Sequence, residues 1–155
     1  MTLDWARLVR EKLAVIATFA FSQQPLAQLR NENFAAWRFV DKTLFAIPEV
    51  EATNAAVHFA LYLRTLDDEQ DLTRNWKRRN EFVGTLYLKN GKTERLSPRE
   101  MTNKIIHAER IEWDFSSVAK IVCIGRDEEP WVAKPWVRAE INVIDLITFG
   151  GSLGS

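Results

Sequence analysis

The sequence predicts an α+β fold, in which an N-terminal layer of three to four helices packs on an antiparallel sheet of roughly five strands. In the first half of the chain, apolar residues recur every three to four positions, whereas in the second half they alternate with polar residues. The connections between the last strands are too short for a helical crossover, so these strands must be antiparallel neighbours. One helix near residues 98–108 is inserted among the strands.

The helices follow one another from the N-terminus. A first helix runs from Leu3 to Phe21, becomes apolar all round after Leu13, and should end at the Gln-Gln-Pro sequence of residues 23–25. Asn31 can cap a second helix. Its apolar stripe, which we expect to face the core, consists of Phe34, Trp37, Val40, Leu44 and Ile47.

A third helix begins after Pro48 and runs from about residue 49 to residue 66, since proline suits the first turn. Its core-facing stripe consists of Ala52, Ala56, Phe59, Leu63 and Leu66. Asp71 can cap a short fourth helix that ends near Asn80.

The strands begin at residue 82. Asn90-Gly91 predicts a hairpin turn between strands at residues 82–88 and 93–96. Ser97, Pro98 and Glu100 form a capping box with proline in the first helical position, which predicts the start of the inserted helix. Three further strands follow, at residues 111–115, 118–124 and 136–146.

Length and charge exclude several classes of protein. A chain of 155 residues is most simply one domain, here residues 1–149, and the Gly/Ser-rich residues 150–155 are expected to be a disordered tail. Lys plus Arg and Asp plus Glu both number 21, so no global charge attracts nucleic acid or a membrane. The apolar run of residues 13–21 is about half of the ~20 residues that span a bilayer, so we expect a cytoplasmic protein.

Chemical motifs are scarce. The chain has no phosphate-binding Gly-rich loop, no nucleophile elbow and no paired-histidine zinc helix, so neither a cofactor nor a metal site is predicted. The single cysteine, Cys123, lies in an apolar strand and excludes an internal disulfide.

One face of the inserted helix is the first candidate site. Helical spacing places Glu100, Asn103, Lys104 and His107 on that face. His107 could act as a general acid or base on a phosphate-bearing or nucleotide substrate, assisted by Lys104 and Glu100, with Arg99 and Asn103 as binding residues. The alternative is a solvated face, or a face whose hydrogen bonds hold the helix to its neighbours.

Two aromatic segments are further candidates. Trp131 and Trp136 flank prolines in a charged loop, where they could bind a ligand or a protein partner, or close the end of the sheet. The basic run from Arg74 to Arg79 surrounds Trp76 and could bind single-stranded nucleic acid. The alternative is a helix on which Asp71, Arg74 and Arg78 pair on one side while Trp76 packs the helix onto the body, and the neighbouring acidic run cancels much of the charge.

The sequence therefore favours a non-enzymatic binding module that self-associates as a homo-oligomer or binds a protein partner, through a sheet edge or the tryptophan loop. A small enzyme with His107 as its acid or base is the first alternative, which leaves a small ligand open. Single-stranded nucleic-acid binding is the second and less favoured alternative, and no membrane partner is expected.

Overall fold

The computed structural model describes residues 2–126 and 134–153. The helices in this part of the chain are α1 (Trp5–Glu32), α2 (Phe34–Trp37), a π-helical turn (Lys42–Ala46), α3 (Ile47–Gln70), α4 (Leu72–Arg79), α5 (Pro98–Ile106) and α6 (Val143–Gly151). The strands are β1 (Gly84–Leu88), β2 (Thr93–Leu96), β3 (Arg110–Asp114), β4 (Lys120–Ile124) and β5 (Trp136–Asn142). The predicted α+β fold, with N-terminal helices and one helix inserted among the strands, is confirmed.

All strand pairs are antiparallel, and the order across the sheet is β2-β1-β5-β4-β3. The last strand, β5, therefore lies in the middle, and α5 connects the two edge strands β2 and β3. The predicted hairpin between β1 and β2 is present, and Gly91 adopts a φ of 84°, a conformation that glycine tolerates without strain. The pairing of β1 with β5 was not predicted.

One face of the sheet packs against the helices. Buried residues from α1, α3, α5 and α6 join side chains of this face in one apolar cluster. Cys123 lies in it, fully buried as predicted, and burial raises the pKa of its thiol to about 12. The predicted stripe on α3 is also buried along its whole length.

Helix α1 does not end at Pro25, which corrects the predicted break. It continues to Glu32, with Pro25 inside the helix. Pro25 cannot donate a hydrogen bond to the carbonyl of Phe21, but both residues are exposed, so water can satisfy that carbonyl. Proline is therefore tolerated inside α1 because position 25 is exposed, whereas a buried helix would exclude it.

The predicted second helix does not form as one continuous helix. A short α2, a turn and the π-helical turn connect α1 to α3, and most of the predicted core stripe is exposed or half-buried. At the other end of α3, Asp71 has a φ of 50°, and its side chain makes no capping hydrogen bond to α4. Asp67 takes that role, because its Oδ1 accepts a hydrogen bond from the Thr73 amide at 2.7 Å.

The C-terminal segment also differs from expectation. Strand β5 ends at Asn142, whose side chain caps α6 by accepting hydrogen bonds from the amides of Ile144 at 3.0 Å and Asp145 at 3.2 Å. Helix α6 packs so closely that a Cβ on Gly150 would lie 2.4 Å from a Leu13 methyl carbon. Leu153 is buried, so residues 150–153 are packed and not a disordered tail, and residues 154–155 lie outside the described residues.

Candidate functional site

Helix α5 packs between α3 and the sheet. Its start is as predicted, with the Ser97 hydroxyl accepting a hydrogen bond from the Glu100 amide at 3.3 Å and Pro98 in the first turn. Met101 and Ile105 are buried, and they fix which side of the helix faces outward.

The polar side chains of α5 are bonded to other elements. Arg64 of α3 donates a hydrogen bond to the Asn103 side-chain oxygen at 3.2 Å. Lys134, just before β5, forms a salt bridge to Glu100 at 3.4 Å and another to Glu94, and the hydrogen bond to Glu94 raises the pKa of Lys134. The Lys104 ammonium lies 4.7 Å from the ring centroid of Trp136. This face therefore holds the helix to its neighbours.

Arg99 also holds α5 to its neighbours. Its guanidinium donates hydrogen bonds at 2.8 Å to both Asp67 and Asp68, at the end of α3. The Asp68 carboxylate, followed by that of Asp67, raises the pKa of Arg99. An incoming anion would have to compete with these two carboxylates.

His107 stands apart from the other three residues of the predicted face. It is the exposed C-cap of α5, and its backbone amide donates to the Asn103 carbonyl at 3.0 Å. Among the described residues, it does not line any of five well-formed cavities. A general acid or base needs a pocket that holds the substrate within hydrogen-bonding reach, and these five cavities do not supply one at His107.

The tryptophan candidates fall in different environments. Trp136 is in β5 and buried in the core, so it is not part of an exposed loop surface. Trp131 lies outside the described residues. In the basic run, Trp76 is also buried and packs edge-to-face on Phe149 at 5.2 Å between ring centroids, so its ring is not open to stack on a base.

The part of the chain that the structure describes holds no group of three or more His, Cys, Asp or Glu side chains able to bind a metal ion. In the same residues, no helix combines the length and the apolar composition needed to cross a bilayer.

An apolar surface lies where α1, α2, the π-helical turn and the start of α3 form a helical hairpin. In residues 24–51, which we call the hairpin tip, no side chain is buried. Phe34 and Phe39 are 73% and 78% exposed. The other exposed large apolar residues of the tip are Leu29, Val40, Ile47 and Val50.

A salt bridge and two cation–π contacts lie within the hairpin tip. Arg30 of α1 forms a salt bridge to Asp41 at 3.0 Å, and its guanidinium lies 4.3 Å from the ring centroid of Phe45. Arg38 lies 4.4 Å from the ring centroid of Phe39. The tip thus has a defined shape despite having no buried residue.

A groove lies within the same helical hairpin. It has a volume of about 450 Å³ between α1 and the start of α3, and its apolar lining includes Val15, Phe19, Leu26, Leu44 and Pro48. Sequence reasoning missed this surface because an apolar stripe has the same helical period whether it faces a core or a partner. Comparison of the chain with protein-family models, curated proteins and solved structures gave no match.

Proposed function

We propose that this protein is a non-enzymatic interaction module that self-associates through the hairpin tip. The observation that carries the proposal is the exposure of Phe34 and Phe39 within a segment that has no buried residue. Exposed aromatic side chains favour protein–protein contacts, because leaving their apolar surface in water is unfavourable and promotes association.

The charges of the hairpin tip favour a second copy as the partner. Its charged residues are the cations Arg30, Arg38 and Lys42 and the anions Glu32, Asp41, Glu49 and Glu51. With both signs in nearly equal number, two identical surfaces can meet without strong repulsion. A partner of opposite charge would instead require a surface of one sign.

The sheet edges are weaker candidates for self-association. Both edge strands are short and carry charged side chains, Glu94 and Arg95 in β2 and Arg110 and Glu112 in β3. Short, charged edges oppose pairing with another strand. The hairpin tip therefore replaces the sheet edge as the proposed contact surface.

The enzymatic alternative has less support. His107 is separated from the described cavities, and Glu100, Asn103, Lys104 and Arg99 already make contacts that hold α5 in place. The nucleic-acid alternative loses its stacking residue, because Trp76 is buried.

Light scattering after size-exclusion chromatography tests the proposal. We expect the wild-type chain to be at least a dimer at micromolar concentration and the double variant Phe34→Glu/Phe39→Glu to be a monomer. Both phenylalanines are exposed, so the variant should keep its fold, which circular dichroism can verify.

A matched control is Leu3→Glu/Leu61→Glu, which adds the same charge at exposed apolar residues outside the hairpin tip. It should associate like the wild type. A wild-type chain that stays monomeric at high concentration, or a double phenylalanine variant that still associates fully, would contradict the proposal.

A further inference from the structure

A polar cavity of about 330 Å³ lies on the sheet face opposite the apolar cluster. Thr85 of β1 pairs with Arg95 of β2 and with Glu140 of β5, so these three residues form one row across the sheet. Their neighbours Leu86 and Ala139 are buried in the core, which places the row on the opposite face. Because threonine is short, the two long side chains beside it stand on either side of a depression ~10 Å wide.

Four charged side chains line this cavity, and two of them compensate each other. The Lys120 ammonium nitrogen lies 4.0 Å from the Glu140 carboxylate. The Tyr87 hydroxyl donates a hydrogen bond to the same carboxylate, which raises the pKa of Tyr87. Glu140 is only 17% exposed, so these contacts replace much of its hydration. The remaining two charges belong to Arg95 and Asp145.

Arg95 and Asp145 are exposed and form no salt bridge with each other or with any other residue that the structure describes. The Arg95 guanidinium lies 3.8 Å from the ring centroid of Phe82, so the ring holds it in place without using its N–H donors. Asp145 lies in the first turn of α6, where the helix dipole favours the charged carboxylate. Within the described chain, the walls of the cavity thus carry one uncompensated cation and one uncompensated anion.

We propose that this cavity binds a free α-amino acid, with its carboxylate on Arg95 and its ammonium group on Asp145. A ligand that carries both charges matches the two walls, whereas an anion such as phosphate would be repelled by Asp145 and Glu140. Guanidinium donors also match a carboxylate in bidentate geometry. The cavity volume lies within the range of ~300–1,000 Å³ that is typical of small-molecule sites. Binding does not depend on self-association, because the cavity lies on the sheet and not on the hairpin tip.

Thermal unfolding in the presence of each common L-amino acid at millimolar concentration tests the proposal. We expect at least one of them to raise the unfolding temperature, by about 4 °C at ten times its dissociation constant, because it binds only the folded state. Calorimetric titration then gives its affinity. The amide and the N-acetyl derivative of the same amino acid each lack one of the two charges, so each should bind at least tenfold more weakly.

Substitutions in the two walls separate their roles. Arg95→Gln should weaken binding of the amino acid at least tenfold but leave binding of its amide unchanged, because the amide has no carboxylate. Asp145→Asn should weaken binding of the amino acid in the same way but not that of its N-acetyl derivative. The matched controls Arg110→Gln and Glu112→Gln change exposed charges of β3 outside the cavity and should bind like the wild type. The proposal is overturned if no amino acid shifts the unfolding temperature, if either single-charge derivative binds as tightly as the parent, or if either cavity variant keeps the wild-type affinity.

Discussion

At the scale of single residues, Asp67 shows how one buried carboxylate links three elements. It lies in α3, accepts hydrogen bonds from the Thr73 amide and hydroxyl in α4 at 2.7 and 2.6 Å, and pairs with Arg99 of α5 at 2.8 Å. A buried charge is tolerated when its oxygens are bonded in this way. Arg99, a candidate for anion binding from its sequence position, instead serves this junction.

We expect Asp67→Ala to lower the free energy of unfolding by about 2–4 kcal/mol. The substitution removes the carboxylate that accepts hydrogen bonds from Thr73 and Arg99. Urea denaturation at neutral pH measures the change. Asp68→Ala is the matched control, since Asp68 also lies 2.8 Å from Arg99 but is 59% exposed, and it should cost less than about 1 kcal/mol. Equal effects of the two substitutions would rule out a special role for the buried carboxylate.

Residue-scale patterns also show the limit of sequence reasoning. The spacing of Glu100, Asn103 and Lys104 correctly suggests a common helix face, because helical geometry is local. Their partners Arg64, Lys134 and Trp136 come from distant parts of the chain, so no local pattern could identify them.

At the scale of elements, helix starts and turns were predicted most reliably where they depend on the steric and hydrogen-bonding preferences of the residues themselves. The Ser97 cap and the Asn90-Gly91 turn are present where they were predicted, since capping and left-handed backbone depend on the residues themselves. The predicted break at Pro25 was wrong because the cost of a proline depends on whether its surroundings can hydrate the released carbonyl. That condition is set by exposure, a property of the fold.

Replacing Pro25 tests the continuity of α1. In an exposed, uninterrupted helix, Pro25→Ala should restore the hydrogen bond to the Phe21 carbonyl and raise the free energy of unfolding by about 2 kcal/mol. Gln28→Ala, at a nearby exposed position of the same helix, should change it by less than about 0.5 kcal/mol. Thermal and urea unfolding followed by circular dichroism measure both, and no gain from Pro25→Ala would indicate that the helix ends where the sequence predicted.

At the scale of the whole molecule, the helices are divided between two environments. The first part of α1 and most of α3 pack in the core, whereas the hairpin tip has no buried residue. The phenylalanines exposed in that segment are the basis on which we propose association.

Association predicts that thermal stability depends on protein concentration. Because dimer formation stabilises only the folded state, the unfolding temperature should rise by about 2–4 °C for each tenfold increase in concentration. The Phe34→Glu/Phe39→Glu variant should lose this dependence, and the Leu3→Glu/Leu61→Glu variant should keep it. Differential scanning fluorimetry over a hundredfold range measures the effect, and a constant temperature for the wild type would contradict it.

The sequence by itself determined the fold class, the position of the hairpin turn and the start of α5, because periodicity, capping and turn formation act between residues close together in the chain. Only the tertiary structure decided that β5 pairs with β1, that Trp76 and Trp136 are buried, and that the stripe around Phe34 is left uncovered. Burial depends on which distant elements of the chain pack together. Apolar residues with the same helical spacing can face either a core or an interface, so the spacing does not distinguish the two.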